Sequence, residues 1–377
     1  MTRTIIDIDI LHTVPPSNLN RDDTGSPKSA IYGGVRRARV SSQAWKRATR
    51  LAFSQHLDPS QLGERTKRVV EVLADRVVAG EASIAREEAL ALAGQVLTAA
   101  GIKLATPRAK KGEEPGPDES QYLLFLSSRQ VDLLAEIAIA AHSSDDPKAS
   151  IKAAEPKKKL SLEHSVDISL FGRMVADSTD LNVDAAAQVA HAISVHAVEN
   201  EFDYFTAVDD HKQASEEEED SGAAMIGNVE FNSSTLYRYA TVDANRLNDN
   251  LGSAEATRAA VEAFVKAFAS SMPTGKQNSF ANRTVPDAVV VSIRDSQSVN
   301  MVGAFEEPVV GVRIATAAAR LAAHTQDVNA NFGTTPVAVW VVAGQAAQAL
   351  TVLGEKVSLD ELVARVGATV AERITAH

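Results

Sequence analysis

The sequence predicts an α+β fold in which a small β-α-β-β-α-β sheet carries a long helical insertion and a projecting arm. Three patterns predict it. Near the N-terminus Ile6, Ile8 and Ile10 alternate with Asp7 and Asp9, the period of a half-buried strand. In the C-terminal third, β-branched runs alternate with segments of helical period. Between the two lies an Ala/Leu-rich region of helical period, broken by stretches rich in Pro, Gly and Ser.

Residues 4–14 form the first strand, and the polar loop PPSNLNRDDTGSPK follows, built from residues that favour turns. Ser41 or Ser42 caps a helix running to about Phe53. On a helical wheel Gln43, Lys46, Arg47 and Arg50 share one sector of about 100°, with Trp45, Ala48 and Ala52 opposite. The result is a basic amphipathic helix anchored on its apolar side. Residues 61–141 read as helical, interrupted at 106–120, and a second loose stretch spans 143–164. Both interruptions mix charge with Pro, Gly or Ser and read as exposed loops. VDISLFGRMV (166–175) reads as a strand and residues 184–195 as a helix. From Glu201 to Phe231 the chain reads as an arm: Phe202, Tyr204, Phe205 and Val208 enter, Met225, Ile226 and Phe231 leave, and the acids 216–220 form its tip. Strand signals return at 233–243, 287–295 and 335–342, with helices at 253–271 and 309–325 between them. About four strands and two packing helices make a sheet of the RRM or ferredoxin-like kind. No solenoid repeat is present.

Composition excludes several function classes. With no cysteine, disulfides, zinc–thiolate sites and cysteine nucleophiles are all removed. No apolar run approaches the ~18 residues of a membrane span, and Asp7 and Asp9 interrupt the N-terminal apolar stretch, unlike a signal-peptide core. A cytoplasmic protein without cofactor or membrane partner is the expectation.

The net charge of −11 argues against nucleic acid until its distribution is considered. Residues 24–57 contain no acid, while Lys28, Arg36, Arg37, Arg39, Lys46, Arg47 and Arg50 make that window +7, leaving −18 on the remainder. A basic patch on an acidic body suits a polyanion and discourages indiscriminate binding. A solvated basic face without a ligand is the competing reading. Met174 and Phe205 are, by residue type alone, core candidates.

SNLNRDDTGSPKSAIYGGVRRARVSSQAWKRATR, SVDISLFGRM, ENEFDYFTAVDD, STLYRYATVD and PTGKQ closely resemble the backbone subunit family of type I-E CRISPR Cascade complexes (CasC). The matches run in order over residues 1 to about 300. The resemblance implies a modified RRM/ferredoxin-like palm with a helical fingers insertion and a thumb-like β-hairpin. The boundaries it implies are palm 1–60, fingers 61–165, a palm/fingers return at 166–197, thumb 198–231 and palm 232–377.

It also implies contacts to a CRISPR guide RNA from Asn20, Arg21 and Lys28 in the first loop and from Ser41, Gln43, Lys46, Arg47 and Arg50 on the helix. Met174 would wedge beside a displaced nucleotide, with Phe205, Thr206 and Val208 packing at the same kink; Lys276 and Gln277 would lie near the RNA. The implied partners are copies of the chain in a head-to-tail filament, the other Cascade subunits (large, small, 5′-handle-binding and 3′-hairpin-binding), and target DNA paired to the guide. One departure is Glu306-Glu307-Pro308, where the family pattern has lysines; a basic contact there is not expected.

Catalysis is not expected. GxSxG, P-loop and HExxH motifs are missing, and His191 and His196, five apart, do not share a helix face. The alternative is a metal-dependent RNA-cleaving backbone subunit, as in type III effector complexes, acting through Asp22 or Asp23 beside Arg21. Against it, Asp22 reads as a turn residue or a partner of Arg21.

Overall fold

A computed structural model gives the structure of the chain and describes residues 3–109, 112, 115–175, 178–207 and 225–376. The fold is α+β, with a mostly antiparallel sheet. In chain order the strands and helices are β1 (Ile5–Ser17), β2 (Ser29–Tyr32), β3 (Val35–Val40), α1 (Ser42–Ala52), β4 (Gly63–Thr66), α2 (Val69–Gly80), α3 (Arg86–Ala99), β5 (Leu104–Ala105), β6 (Glu119–Ser120), β7 (Leu124–Ser127), α4 (Ser128–His142), α5 (Pro147–Ala153), α6 (Pro156–Lys159) and α7 (Val166–Phe171). Then come β8 (Ala187–Val189), β9 (Ala192–Ser194), β10 (Glu201–Ala207), β11 (Met225–Asp243), α8 (Ala244–Leu251), α9 (Ala254–Ser270), α10 (Gln277–Phe280), β12 (Ala288–Arg294), α11 (Arg313–Phe332), β13 (Ala338–Ala343), β14 (Glu355–Lys356) and α12 (Leu359–Thr375).

The chain divides into two compact units. The first comprises Met1–Ala52, Val189–Thr241 and Phe264–Thr369. Its sheet has the order β14-β13-β12-β1-β11-β9-β3-β2, with β10 and β8 also paired to β11. β1 and β12 run antiparallel from Ile5↔Arg294 to Leu11↔Ala288. Leu11, Tyr237, Val290, Phe305, Leu321 and Val341 belong to one buried cluster on this sheet.

The alternation in β1 predicted one wet face. The strand is instead buried on both faces, with Asp7 and Asp9 at 0% and 6% exposure. Buried carboxylates persist only when their hydrogen bonds are satisfied, and the sheet supplies partners. Asp7 accepts from Arg294 Nε at 2.8 Å, Tyr239 Oη at 2.7 Å and the Val299 N–H at 3.0 Å. Asp9 accepts from Tyr237 Oη at 2.6 Å.

The second unit comprises Phe53–Gln188, Val242–Ala263 and Val370–His377. α2, α3 and α4 enclose a core that includes Leu73, Val77, Val96, Leu97 and Leu134. Ser127 and Gln130 form a reciprocal capping box at the start of α4.

Three expectations are corrected. VDISLFGRMV is a helix over Val166–Phe171 that stops at Gly172, not a strand; five consecutive residues, Val166 to Leu170, are buried, so the apolar run has no period to distinguish the two. Residues 184–195 hold two short strands, β8 and β9; pairing to β11 and β3 overrides the helix propensity of an Ala-rich segment. The loose stretch 143–164 contains α5 and α6, each opened by a proline in its first turn. Basic residues 35–40 form β3, hairpin-paired with β2 across Gly33-Gly34. Among the described residues, no helix is long and apolar enough to cross a membrane.

Candidate nucleic-acid interface

The first unit gathers most of the predicted site residues around the start of α1. Asn20 Oδ1 accepts the Ser41 N–H at 2.8 Å, tying the loop after β1 to the helix. The Lys28 N–H donates to the Asn20 carbonyl and the Arg39 N–H to the Lys28 carbonyl, each at 2.9 Å. The 273–277 loop closes on the same place. A Cβ added at Gly275 would lie 2.3 Å from the Leu19 carbonyl oxygen, so only glycine permits that approach. Lys276, at φ +50°, and Gln277 follow it directly. Asn20, Lys28, Ser41, Lys276 and Gln277 are thereby held together, although 257 positions separate the first from the last.

On α1, Gln43 and Arg47 are exposed, Lys46 and Arg50 are half-buried, and Trp45 and Thr49 face inward. This rotates the wheel expected from sequence: Arg47 stands furthest into solvent, and burial lowers the Lys46 ammonium below its usual value. Arg21 is exposed. Arg37 leaves the predicted cationic set. It is fully buried, and its guanidinium donates to the carbonyls of Tyr32, Ser194, Phe305 and Glu306 at 2.9 to 3.1 Å. Its task is to hold the β2–β3 hairpin, which no feature of the basic run distinguishes.

His191 is a member of the site that sequence reasoning missed. Its Nδ1 accepts the Ser42 N–H at 3.2 Å and lies 3.4 Å from the Arg39 guanidinium. Burial, then Arg39 and Lys28, hold its pKa below the usual histidine value. A neutral imidazole thus satisfies one of the open N–H groups at the helix start. Only the fold places it there, 149 residues along the chain.

Asp22 is committed to its own loop. One carboxylate oxygen accepts from the Thr24 N–H at 3.0 Å, the Thr24 hydroxyl at 2.7 Å and the Ser26 N–H at 3.0 Å. The Thr24 hydroxyl bond, first, and the loop N–H bonds hold its pKa down. That is Asx-turn geometry. Among the described residues no group of three or more acidic or histidine side chains could hold a metal ion.

The thumb-like hairpin is β10 with the first part of β11, paired from Glu201↔Phe231 to Ala207↔Met225. Phe205 faces Gly227 across the pair, and its ring occupies the space a side chain there would need: an added Cβ would sit 2.3 Å from it. Phe202 and Tyr204 alternate to the other face and are 65% and 63% exposed. Thr206 lies on β10 and is exposed; Val208 and the acids 216–220 lie outside the described residues. At the hairpin's base, Glu230 accepts from Ser26 Oγ at 2.7 Å and Asn200 Nδ2 at 2.9 Å, and its carbonyl accepts from Asn18 Nδ2. Loop and hairpin are therefore one hydrogen-bonded assembly.

Met174 belongs to the second unit. Its type suggested core, yet it is 82% exposed. The preceding Arg173 explains this: buried, it donates to the carbonyls of Leu181 and Leu160 and to Gln130 Oε1, and burial pushes it down to about 10. The anchored arginine leaves Met174 projecting. Lys157 and Lys158 are paired with Asp180 and Glu155.

Within the first unit this arrangement suits a single-stranded polyanion: cations on loop and helix for phosphates, exposed aromatic groups for stacking, and an acid-free start to α1. The CT1975-like protein family matches the chain over residues 6–365. The chain belongs to that family. Two solved structures show the same fold over nearly the whole length. One, a chain of a "CRISPR RNA-guided surveillance complex, pre-nicking", is 33% identical, with 97% of this chain and 100% of that one covered and a TM-score of 0.82. The other, from a "CRISPR RNA-guided surveillance complex", is 29% identical, with 96% and 99% covered and a TM-score of 0.71. No curated protein sequence matches.

Proposed function

We propose that this chain is a guide-RNA-gripping backbone subunit of a CRISPR RNA-guided surveillance complex of the Cascade type, and does not cut RNA. Family membership and two near-full-length likenesses to chains of such complexes support the complex. The observation that carries RNA contact is the convergence of Asn20, Lys28, Ser41 and Lys276 at the start of a helix that presents Lys46, Arg47 and Arg50. A guide binder blind to sequence holds phosphates and leaves base edges free for target DNA. Lysines and arginines at the backbone, with Phe205, Thr206, Val208 and Met174 as stacking or wedging groups, meet that requirement.

In this reading the first unit is the palm, the helical second unit the fingers, and the β10–β11 hairpin the thumb. Copies join head to tail, because a heterologous contact that does not close produces a filament. The type I-E assignment and the partnership with large, small and end-binding subunits belong to the same proposal. Cleavage through Asp22 is disfavoured by that carboxylate's three bonds inside its own turn.

The test is to purify the chain with its operon neighbours and sequence the RNA that accompanies it. Repeat-derived RNA protected at regular intervals is expected. An assembly free of nucleic acid would sink the proposal.

A further inference from the structure

We propose that Arg238 positions the cationic helix α1 through Trp45, and so sets the geometry of an RNA-facing surface that it never touches. The inference rests on the RNA-binding reading above for its consequence, though not for its geometry.

Arg238 lies on β11 at 1% exposure. Its guanidinium carbon sits 3.7 Å from the Trp45 ring centroid and 4.6 Å from that of Phe268. One terminal nitrogen donates to the Phe268 carbonyl and the other to His12 Nδ1 at 3.0 Å. Among the described residues no carboxylate pairs with it. The contrast with Arg294 is informative. That second buried arginine of the same sheet holds Asp7 at 2.8 Å and so closes an ordinary ion pair. Arg238 has π faces in place of an anion, and a guanidinium between rings is directional in a way a point charge is not.

The support beneath it is also specified. Arginine can only donate, so His12 Nδ1 accepts. His12 Nε2 then carries the proton and donates to Thr284 Oγ1 at 2.9 Å, whose hydroxyl donates to the Thr13 carbonyl at 2.8 Å. Burial and the Arg238 charge hold His12 down to about 3, so this chain of donors stays in one state throughout the neutral range. The guanidinium it fixes lies over the ring of Trp45, the residue before Lys46 and the buried anchor of α1. Tilting that indole carries Lys46, Arg47 and Arg50 with it. Arg238 is therefore a positioning residue.

The experiment uses the full chain with Trp340→Phe, which leaves Trp45 as the sole tryptophan, and a fluorescein-labelled single-stranded RNA of mixed sequence. Arg238→Met keeps volume without charge or plane. It should weaken RNA binding about tenfold, within the range for a residue that acts on a site through a packed neighbour, and shift Trp45 emission. The slope of log K against log salt should not change, because no phosphate contact is removed. Arg238→Lys should recover only part of the affinity. Wild-type affinity in a folded Arg238→Met protein, or unchanged Trp45 emission, overturns the proposal. If Arg238→Met does not fold, Trp45→Phe and Trp45→Leu decide: the phenyl face should retain binding and the leucine lose it, and equal affinities overturn the proposal. If the unaltered chain binds no RNA, the functional reading fails by itself, and the emission arm still decides whether Arg238 orients the helix.

Discussion

Changing Lys46, Arg47 and Arg50 together to alanine removes the cations of α1 while leaving its inward residues, Trp45 and Thr49, in place. Alanine has the highest helix propensity, so the helix should persist and the readout should be electrostatic. Each phosphate neutralised on a single strand contributes about 0.7 to the salt slope. Three contacts therefore predict a slope flatter by about 2. Referred to a common intercept at 1 M, a change of about 2 in slope makes binding at 0.1 M roughly 100-fold weaker, or about 3 kcal/mol. Fluorescence anisotropy with a single-stranded RNA, titrated at five salt concentrations, measures slope and intercept separately. Arg37→Met is the control: Arg37 is buried against carbonyls, so it should lower thermal stability and leave the slope alone. A triple variant that is folded, by circular dichroism, and keeps the parent slope would refute the assignment of α1 to phosphate. Single variants should rank Arg47, the outermost, at least level with half-buried Lys46.

Asp9 titrates within the core. Burial raises it from 3.8 to about 7, so the folded state holds its proton more tightly than the unfolded chain does. The stability this contributes is fully present below pH 3.8 and is lost as pH rises through about 7; the loss is no more than about 4 kcal/mol. Asp9→Asn should flatten urea-derived stability between pH 4 and 7, and an unaltered pH slope would contradict the account. Breaking the buried Asp7–Arg294 pair by Asp7→Ala should cost about 3–5 kcal/mol, since it strands a cation; a loss below 1 kcal/mol by denaturant titration would show that Arg294 finds another anion. Asp22→Ala should speed amide exchange at Thr24 and Ser26 without changing RNA integrity in the assembled complex; divalent-metal-dependent cleavage abolished by that substitution would reinstate the catalytic alternative. Deleting residues 216–220 should leave RNA affinity largely intact, and a large loss by anisotropy would make the acidic tract part of the grip.

Local pattern alone determined much of this protein. The acid-free basic window, the cap and extent of α1, and the strands at the N-terminus and in the C-terminal third are legible because hydrophobic period, turn residues and charge are properties of neighbouring positions. Only tertiary structure decided the rest, since burial and pairing depend on residues far away in the chain. It sent Arg37 inward while Arg36 and Arg47 stayed outside, although a run of arginines carries no mark of which one will meet buried carbonyls. It covered both faces of β1 and made Asp7 and Asp9 core residues, because two tyrosines and an arginine from distant strands could satisfy them. It drew the Ala-rich 187–194 segment into the sheet, where ladder hydrogen bonds outweigh a helix propensity of a few tenths of a kcal/mol per residue. It brought His191 and Lys276 to the start of α1, and it set Trp45 against Arg238, a contact between residues 193 positions apart.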